Sequence, residues 1–207
     1  MSDQPEIGAR PHEPSPDEPT LIEQAQRGDL GAFDRLVLQH QQEVYAVALR
    51  MLGDAHEAEE IAQEVFVSAY RSLGTFRYEA KLSTWLVAIT MNLCRNRRRW
   101  WARRRQHIVA SLDAPIASGD DEGSRTLDPA DSSPSPAAIA EQREQHAWLL
   151  EALQLLEESQ RSVIVLRDVQ GYSYEEIAQM LHCAVGTLKS RISRARLQLK
   201  ALLNGRV

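Results

Sequence analysis

The sequence predicts an all-α fold in two small helical domains, a helix bundle and a helix-turn-helix unit, joined by a flexible acidic linker. Three observations lead there. All nine prolines fall in residues 1–20 and 106–140, which leaves the other stretches free of the residue that most disrupts a helix. Those stretches, 21–105 and 141–207, are rich in Ala, Leu, Glu, Arg and Gln, most of which have high helix propensity. Their apolar residues recur at three- and four-residue spacing, as one buried helix face requires.

The proline-bearing segments read as connectors. Residues 106–140 include SGDDEGS and ADSSPSP, a Gly/Ser/Asp composition that buries too little apolar surface to offset chain entropy. Residues 1–20 are expected to be a disordered tail, and 106–140 the linker. At 207 residues and 43% apolar composition, the chain can fill a core in one or two domains. No apolar run approaches the roughly 18 residues of a membrane span, and the start lacks the apolar segment of a signal peptide. Two distant cysteines, Cys94 and Cys183, outside any CxxC, exclude a disulfide scaffold and a cysteine zinc site. The expectation is a cytoplasmic protein with no membrane insertion, no metal and no cofactor.

A net charge of −5 hides strong segregation. Residues 1–94 carry 7 basic and 15 acidic side chains, while 95–105 hold seven arginines and no acid. A second island, 183–200, has five cations and no acid. Two cationic islands in an acidic chain suit two surfaces for a polyanion, or solvated helix ends.

In the first domain a short helix at about 20–27 stops at Gly28, and a longer one at about 30–52 ends at Gly53. Asp54, with Glu57 three residues on, opens a third helix in the manner of a capping box. On it Ala58, Ile61, Ala62, Val65, Phe66 and Ala69 share one side; Glu57, Glu60 and Glu64 share another, with Gln63 at its edge. Such carboxylates can be a solvated face, a docking face for a basic partner, or metal ligands. The last reading needs a Glu-x-x-His partner from another helix, which the sequence lacks.

The next helix begins near Ser83 and runs into the arginines. Trp85, Ala88, Asn92, Arg95, Asn96 and Arg99 fall within one 100° arc. An aromatic, amides and guanidinium groups on one stripe suit base stacking with phosphate or base-edge contacts, although Trp85 at helical spacing also suits a core. Phe76, Arg77, Tyr78 and Lys81 precede it, mixing aromatics and cations as single-strand platforms do.

The most specific local pattern is GYSYEEIAQMLHCAVGTLKSRISRARLQLKALL, residues 171–203. Ser173 and Glu176 form a capping box, and a turn of about four residues, His182 to Val185, leads to a second helix. There Leu188, Ile192, Ala195, Leu199 and Leu202 face inward. Thr187, Ser190, Arg191 and Arg194 lie opposite, flanked by Lys189, Ser193, Arg196 and Lys200. A short capped helix, a tight turn and a cationic helix are the parts of a major-groove reader. Arg suits the guanine edge, Ser and Thr several edges, and Lys mostly phosphate. His182 and Cys183 read as a turn residue and a buried thiol.

AEEIAQEVFVSAY (58–70), FRYEAKLSTWLVAITMNLCRNR (76–97) and YSYEEIAQMLHCAVGTLKSRISRAR (172–196), in this order, resemble an extracytoplasmic-function (ECF) sigma factor of the sigma-70 superfamily, retaining regions 2 and 4 only. The resemblance implies that 21–105 binds core RNA polymerase and the −10 promoter element, and that 141–207 reads the −35 element. It implies polymerase docking by Glu60, Gln63 and Glu64. It also implies a base pocket of Leu82, Trp85 and Asn92, with Tyr78 and Lys81 beside it and Arg95, Asn96, Arg98 and Arg99 on −10 DNA. Thr187, Lys189, Ser190, Arg191, Arg194 and Arg196 are the implied −35 contacts. Promoter DNA and an anti-sigma factor are the further implied partners, in a stress or envelope-signal response.

Melting needs no hydrolysis in this reading. Flipping a base costs a few kcal/mol, and aromatic stacking returns about 1–3 kcal/mol per base. The acidic balance implies weak DNA binding until polymerase covers acidic surface. Three rivals make other demands, of which a purely structural all-α adaptor leaves both cationic islands unexplained. A free-standing helix-turn-helix regulator needs no second nucleic-acid face, and an enzyme needs a P-loop, nucleophile elbow or metal cluster that the sequence lacks.

Overall fold

The structure, a computed structural model, describes residues 17–109 and 136–204. Most of the expected tail and linker lies outside the described residues. Every regular element among them is helical. The first half comprises α1 (Glu18–Gln26), α2 (Leu30–Leu52), α3 (Ala55–Ser72) and α4 (Leu82–Val109). Asp29 caps α2 by accepting the Ala32 N–H, and Asp54 caps α3 by accepting that of Glu57. The box at Asp54 is only half formed, because the Glu57 carboxylate turns to Arg97 on α4. Gly53 ends α2 at φ 78°, a left-handed conformation natural to glycine. Pro19 lies inside the first turn of α1 and Pro136 opens α5, where the missing N–H leaves no bond unmade. The helices therefore start earlier than the proline count suggested.

Helix α2 is the axis of the bundle and packs against α1, α3 and α4. Its Leu36, Val44, Val47 and Met51 meet Ile61 and Val65 of α3 and Leu86, Met91 and Cys94 of α4 in one buried cluster. Burial pushes the Cys94 thiol up to about 12, so it packs as a small inert hydrophobe. His40 reaches the Glu18 carboxylate at 3.0 Å within the core, both residues being buried.

The second half comprises α5 (Pro136–Gln154), α6 (Glu158–Ile164), α7 (Tyr174–Met180) and α8 (Val185–Asn204). Helix α6 continues into a π-helical turn, Val165–Val169, with the Gln170 N–H bonded to the Val165 carbonyl. Helix α8 packs on α6 and α7 through Leu188, Ile192 and Ala195.

The two halves share one apolar cluster and a polar seam. The Tyr172 side chain is fully buried and its hydroxyl donates to Glu43 of α2 at 2.9 Å. Gln154 donates to the Arg50 carbonyl and accepts from Arg98. The centre of the seam is Arg161, which has no exposed surface. Its guanidinium donates to the carbonyls of Leu153, Gln154 and Leu156 around the end of α5, and to that of Met51 near the end of α2, at 2.7 to 3.0 Å. Helix ends leave such carbonyls without intrahelical partners and carry the negative end of the dipole. Burial, and then the Arg98 charge, pull the guanidinium down to about 10, so it stays charged at neutral pH. A buried cation of this kind is tolerable only because its donors are matched.

Arg161→Ala withdraws the guanidinium that these buried carbonyls share, leaving that of Met51 with only Arg98 and that of Leu153 with only the Leu156 N–H. It is expected to lower unfolding free energy by about 3–5 kcal/mol in urea titrations, with Arg161→Lys recovering less than half, because an ammonium lacks the planar fork.

Candidate nucleic-acid and partner interfaces

The nucleic-acid candidate on the first half is built around the turn before α4. Gln26 of α1 donates to the carbonyls of Leu73 and Phe76 at 3.0 and 3.1 Å, fixing the chain as it leaves α3. Phe76 is buried and anchors a run of rings: its centroid is 5.1 Å from Tyr78 and 5.3 Å from Trp85. Tyr78 takes a left-handed φ of 58° and is 48% exposed. Its hydroxyl donates to the Pro19 carbonyl at 3.3 Å, and partial burial, then Glu23, raise its pKa. Trp85 is half-buried against Phe76, whereas Lys81, Asn92, Asn96 and Arg99 are exposed. Leu82 is 3% exposed and belongs to the hydrophobic core, so it supports the rings rather than lining an open pocket.

The arginine island divides three ways. Arg99 is exposed. Arg95 and Arg98 face the seam and pair with Glu158 at 3.5 and 4.0 Å, and Arg98 also donates to the Met51 carbonyl and Gln154 at 3.3 Å. Arg97 turns the other way, to α3. It bonds Glu57, and reaches Glu60 at 2.8 Å and Glu64 at 2.9 Å. The bond from Arg97 holds the Glu60 carboxyl below the usual carboxylate range, and that same bond raises Arg97. By sequence Arg97 belongs to the cationic island but is not among the expected −10 contacts. The overlooked signal was its phase, about 200° around the helix from Arg95 at 100° per residue.

The acidic face keeps Gln63 exposed and leaves the Glu60 and Glu64 side chains 47% and 52% exposed. Two shallow depressions flank it, of about 440 and 660 Å³, and Glu64 and Leu93 line both. Trp100 lines the first and Val67 the second, each about half exposed.

On the second half, Ser173 and Glu176 complete the expected capping box at the start of α7. The turn into α8 is a Schellman closure: the His182 N–H bonds the Gln179 carbonyl and the Cys183 N–H that of Ala178. His182 occupies its left-handed position at φ 51°. Thr187, Lys189, Ser190 and Arg194 are exposed along the start of α8, with Arg191 half-buried. Ser190 and Arg194 bond to carbonyls one turn back, those of Thr187 and Ser190. Arg196 instead makes a two-pronged pair with Asp168, and this bond raises its pKa, so it ties α8 to the π turn. Cations flank Tyr174, Arg167 at 4.7 Å and Lys189 at 5.8 Å from the ring.

Among the described residues no group of three or more His, Cys, Asp or Glu is placed to hold a metal ion. None of their helices is long and apolar enough to cross a membrane.

A helix-turn-helix half and a bundle half that bears an aromatic and cationic face beside an acidic face define the class as an all-helical protein with the layout of a nucleic-acid binder. The family model for sigma-70 region 2 matches residues 36–105, and that for sigma-70, region 4, matches 146–199. The chain is 38% identical over 183 residues to the RNA polymerase sigma-H factor of Pseudomonas aeruginosa, covering 85% of this chain and 88% of that protein. It is 34% identical over 176 residues to the ECF RNA polymerase sigma-E factor of Escherichia coli K12, with coverage of 85% and 88%. Among solved structures it resembles CnrH in complex with the cytosolic domain of CnrY, with a TM-score of 0.62 and 26% identity over 92% of this chain and 99% of that one. It also resembles the sigma factor RpoE with the anti-sigma factor NepR from Bartonella quintana, with a TM-score of 0.60 and 27% identity over 83% and 96%. The chain belongs to the ECF sigma factors of the sigma-70 family.

His182→Gly relieves a left-handed conformation of a non-glycine residue in the turn between α7 and α8. It is expected to raise unfolding free energy by about 0.5–1 kcal/mol, seen as a higher melting temperature.

Proposed function

We propose that this sigma factor directs core RNA polymerase to promoters, with 21–105 serving polymerase and the −10 element and 141–207 the −35 element. It does so as a non-enzymatic, cytoplasmic subunit. Glu60, Gln63 and Glu64 dock on a basic surface of core polymerase. Trp85, Tyr78 and Lys81 receive the opened strand, with Asn92, Asn96 and Arg99 along its path. Thr187, Lys189, Ser190, Arg191 and Arg194 meet the −35 duplex. An anti-sigma protein that covers these faces until a stress or envelope signal arrives is the regulatory partner.

One observation carries this reading. The ring series Tyr78–Phe76–Trp85 stands at the start of the helix that exposes Asn92, Asn96 and Arg99. Rings stack unpaired bases of any sequence, and amides read their edges. A dimerisation or sensory bundle has no use for that combination. Arg95 and Arg98 join the DNA face only when they leave Glu158, which weakens DNA binding by the free protein for a reason beyond net charge.

Run-off transcription with purified core polymerase on genomic fragments tests the proposal directly. Transcripts above those of core alone are expected, and their absence overturns it. Asn92→Ala is expected to impair promoter opening by permanganate footprinting. Arg191→Ala should weaken −35 binding by about 1–3 kcal/mol, and Glu60→Lys should abolish pull-down of polymerase without changing circular dichroism. Separately, Glu158→Gln releases Arg95 and leaves Arg98 held only by the Met51 carbonyl and Gln154. It should tighten binding of −10 single strand by the free protein about threefold at low salt, as measured by fluorescence anisotropy.

A further inference from the structure

Arg97 lies among the residues of the acidic face yet belongs to the helix of the DNA face. One guanidinium spans three carboxylates, those of Glu57, Glu60 and Glu64, which follow one another along α3. Left alone, carboxylates at this helical spacing repel one another and rotate freely. Arg97 is only 18% exposed and Glu57 19%, so this end of the cluster is the fixed part. Glu60 and Glu64 each give one oxygen to Arg97 while remaining about half exposed.

We propose that Arg97 is a positioning residue for polymerase docking: it holds Glu60 and Glu64 in the rotamers in which they meet a basic surface. The proposal rests on the docking role given above to Glu60, Gln63 and Glu64. An opposite effect competes with it, since Arg97 cancels part of the charge that attracts a basic partner. The two effects act on different rates. Long-range attraction between rim charges governs association and is screened within about 8 Å at physiological salt. Fixing flexible side chains before contact removes an ordering penalty and acts on the lifetime of the complex. Two ordered glutamates account for roughly tenfold in lifetime. The Arg97–Glu64 pair lies beside the two surface depressions, both of which Glu64 and Leu93 line.

The test measures association and dissociation of full-length variants on immobilised core RNA polymerase. Arg97→Ala is expected to change association less than about twofold and to speed dissociation about tenfold. Arg97→Lys, which keeps the charge but holds fewer carboxylates, should fall between it and wild type. Glu57→Gln loosens Arg97 while leaving both exposed glutamates in place, and should speed dissociation about threefold. In a double-mutant cycle, Glu64→Gln should cost less affinity in the Arg97→Ala background than in wild type. Unchanged or slower dissociation in Arg97→Ala, with Glu60→Lys still weakening binding, overturns the positioning role alone. Intact binding by Glu60→Lys overturns the docking face and this proposal with it. Should Arg97→Ala melt early, Arg97→Lys and Glu57→Gln decide, because a merely structural role predicts no change in their dissociation rates.

Discussion

The arrangement of the whole molecule depends on one buried guanidinium. Arg161 gathers carbonyls from the ends of two helices that belong to different halves of the chain. Those of Met51, Leu153 and Gln154 are groups that a helix end leaves over, carrying the partial negative charge of the dipole, and that of Leu156 lies in the loop just beyond. A cation at that junction meets the need of both helices at once. Arg161, at the start of α6, thereby ties α6, and through it α8, to the end of α2.

From that junction the charges of α4 are distributed by helical phase. One phase faces the seam and carries Arg95 and Arg98; another faces α3 and carries Arg97; a third faces solvent and carries Asn92, Asn96 and Arg99. The bulk acidity of the first half is therefore not a uniform field. Part of it is neutralised within the protein by the cations that composition had set apart.

Local chemistry was legible in the sequence. The Asp54 cap, the Gly53 stop and the Ser173–Glu176 box are short-range signals, and each stands where its residues indicate. What could not be read is what joins distant positions. Met51 and Arg161 are 110 residues apart, and nothing in either neighbourhood names the other. The resemblance implies a base-pocket role for Leu82, the first residue of α4, which is held in the core, and a −35 contact for Arg196, which is held by Asp168. Both are cases in which tertiary packing chose between roles that one-dimensional pattern leaves equal. The π turn, which sets Asp168 near Arg196, has no sequence signature that periodicity detects.

The Met51 carbonyl accepts from two donors, Arg161 of the second half and Arg98 of its own half. Arg161, in turn, keeps three carbonyls of its own half besides that one. At this one point each side has a second companion: the Met51 carbonyl has Arg98, and the guanidinium has its own three carbonyls. Parting the halves would nevertheless break the bonds of Tyr172 to Glu43 and of Gln154 to the Arg50 carbonyl and uncover the shared apolar cluster, so what keeps this clasp shut is its surroundings more than the one carbonyl at its centre.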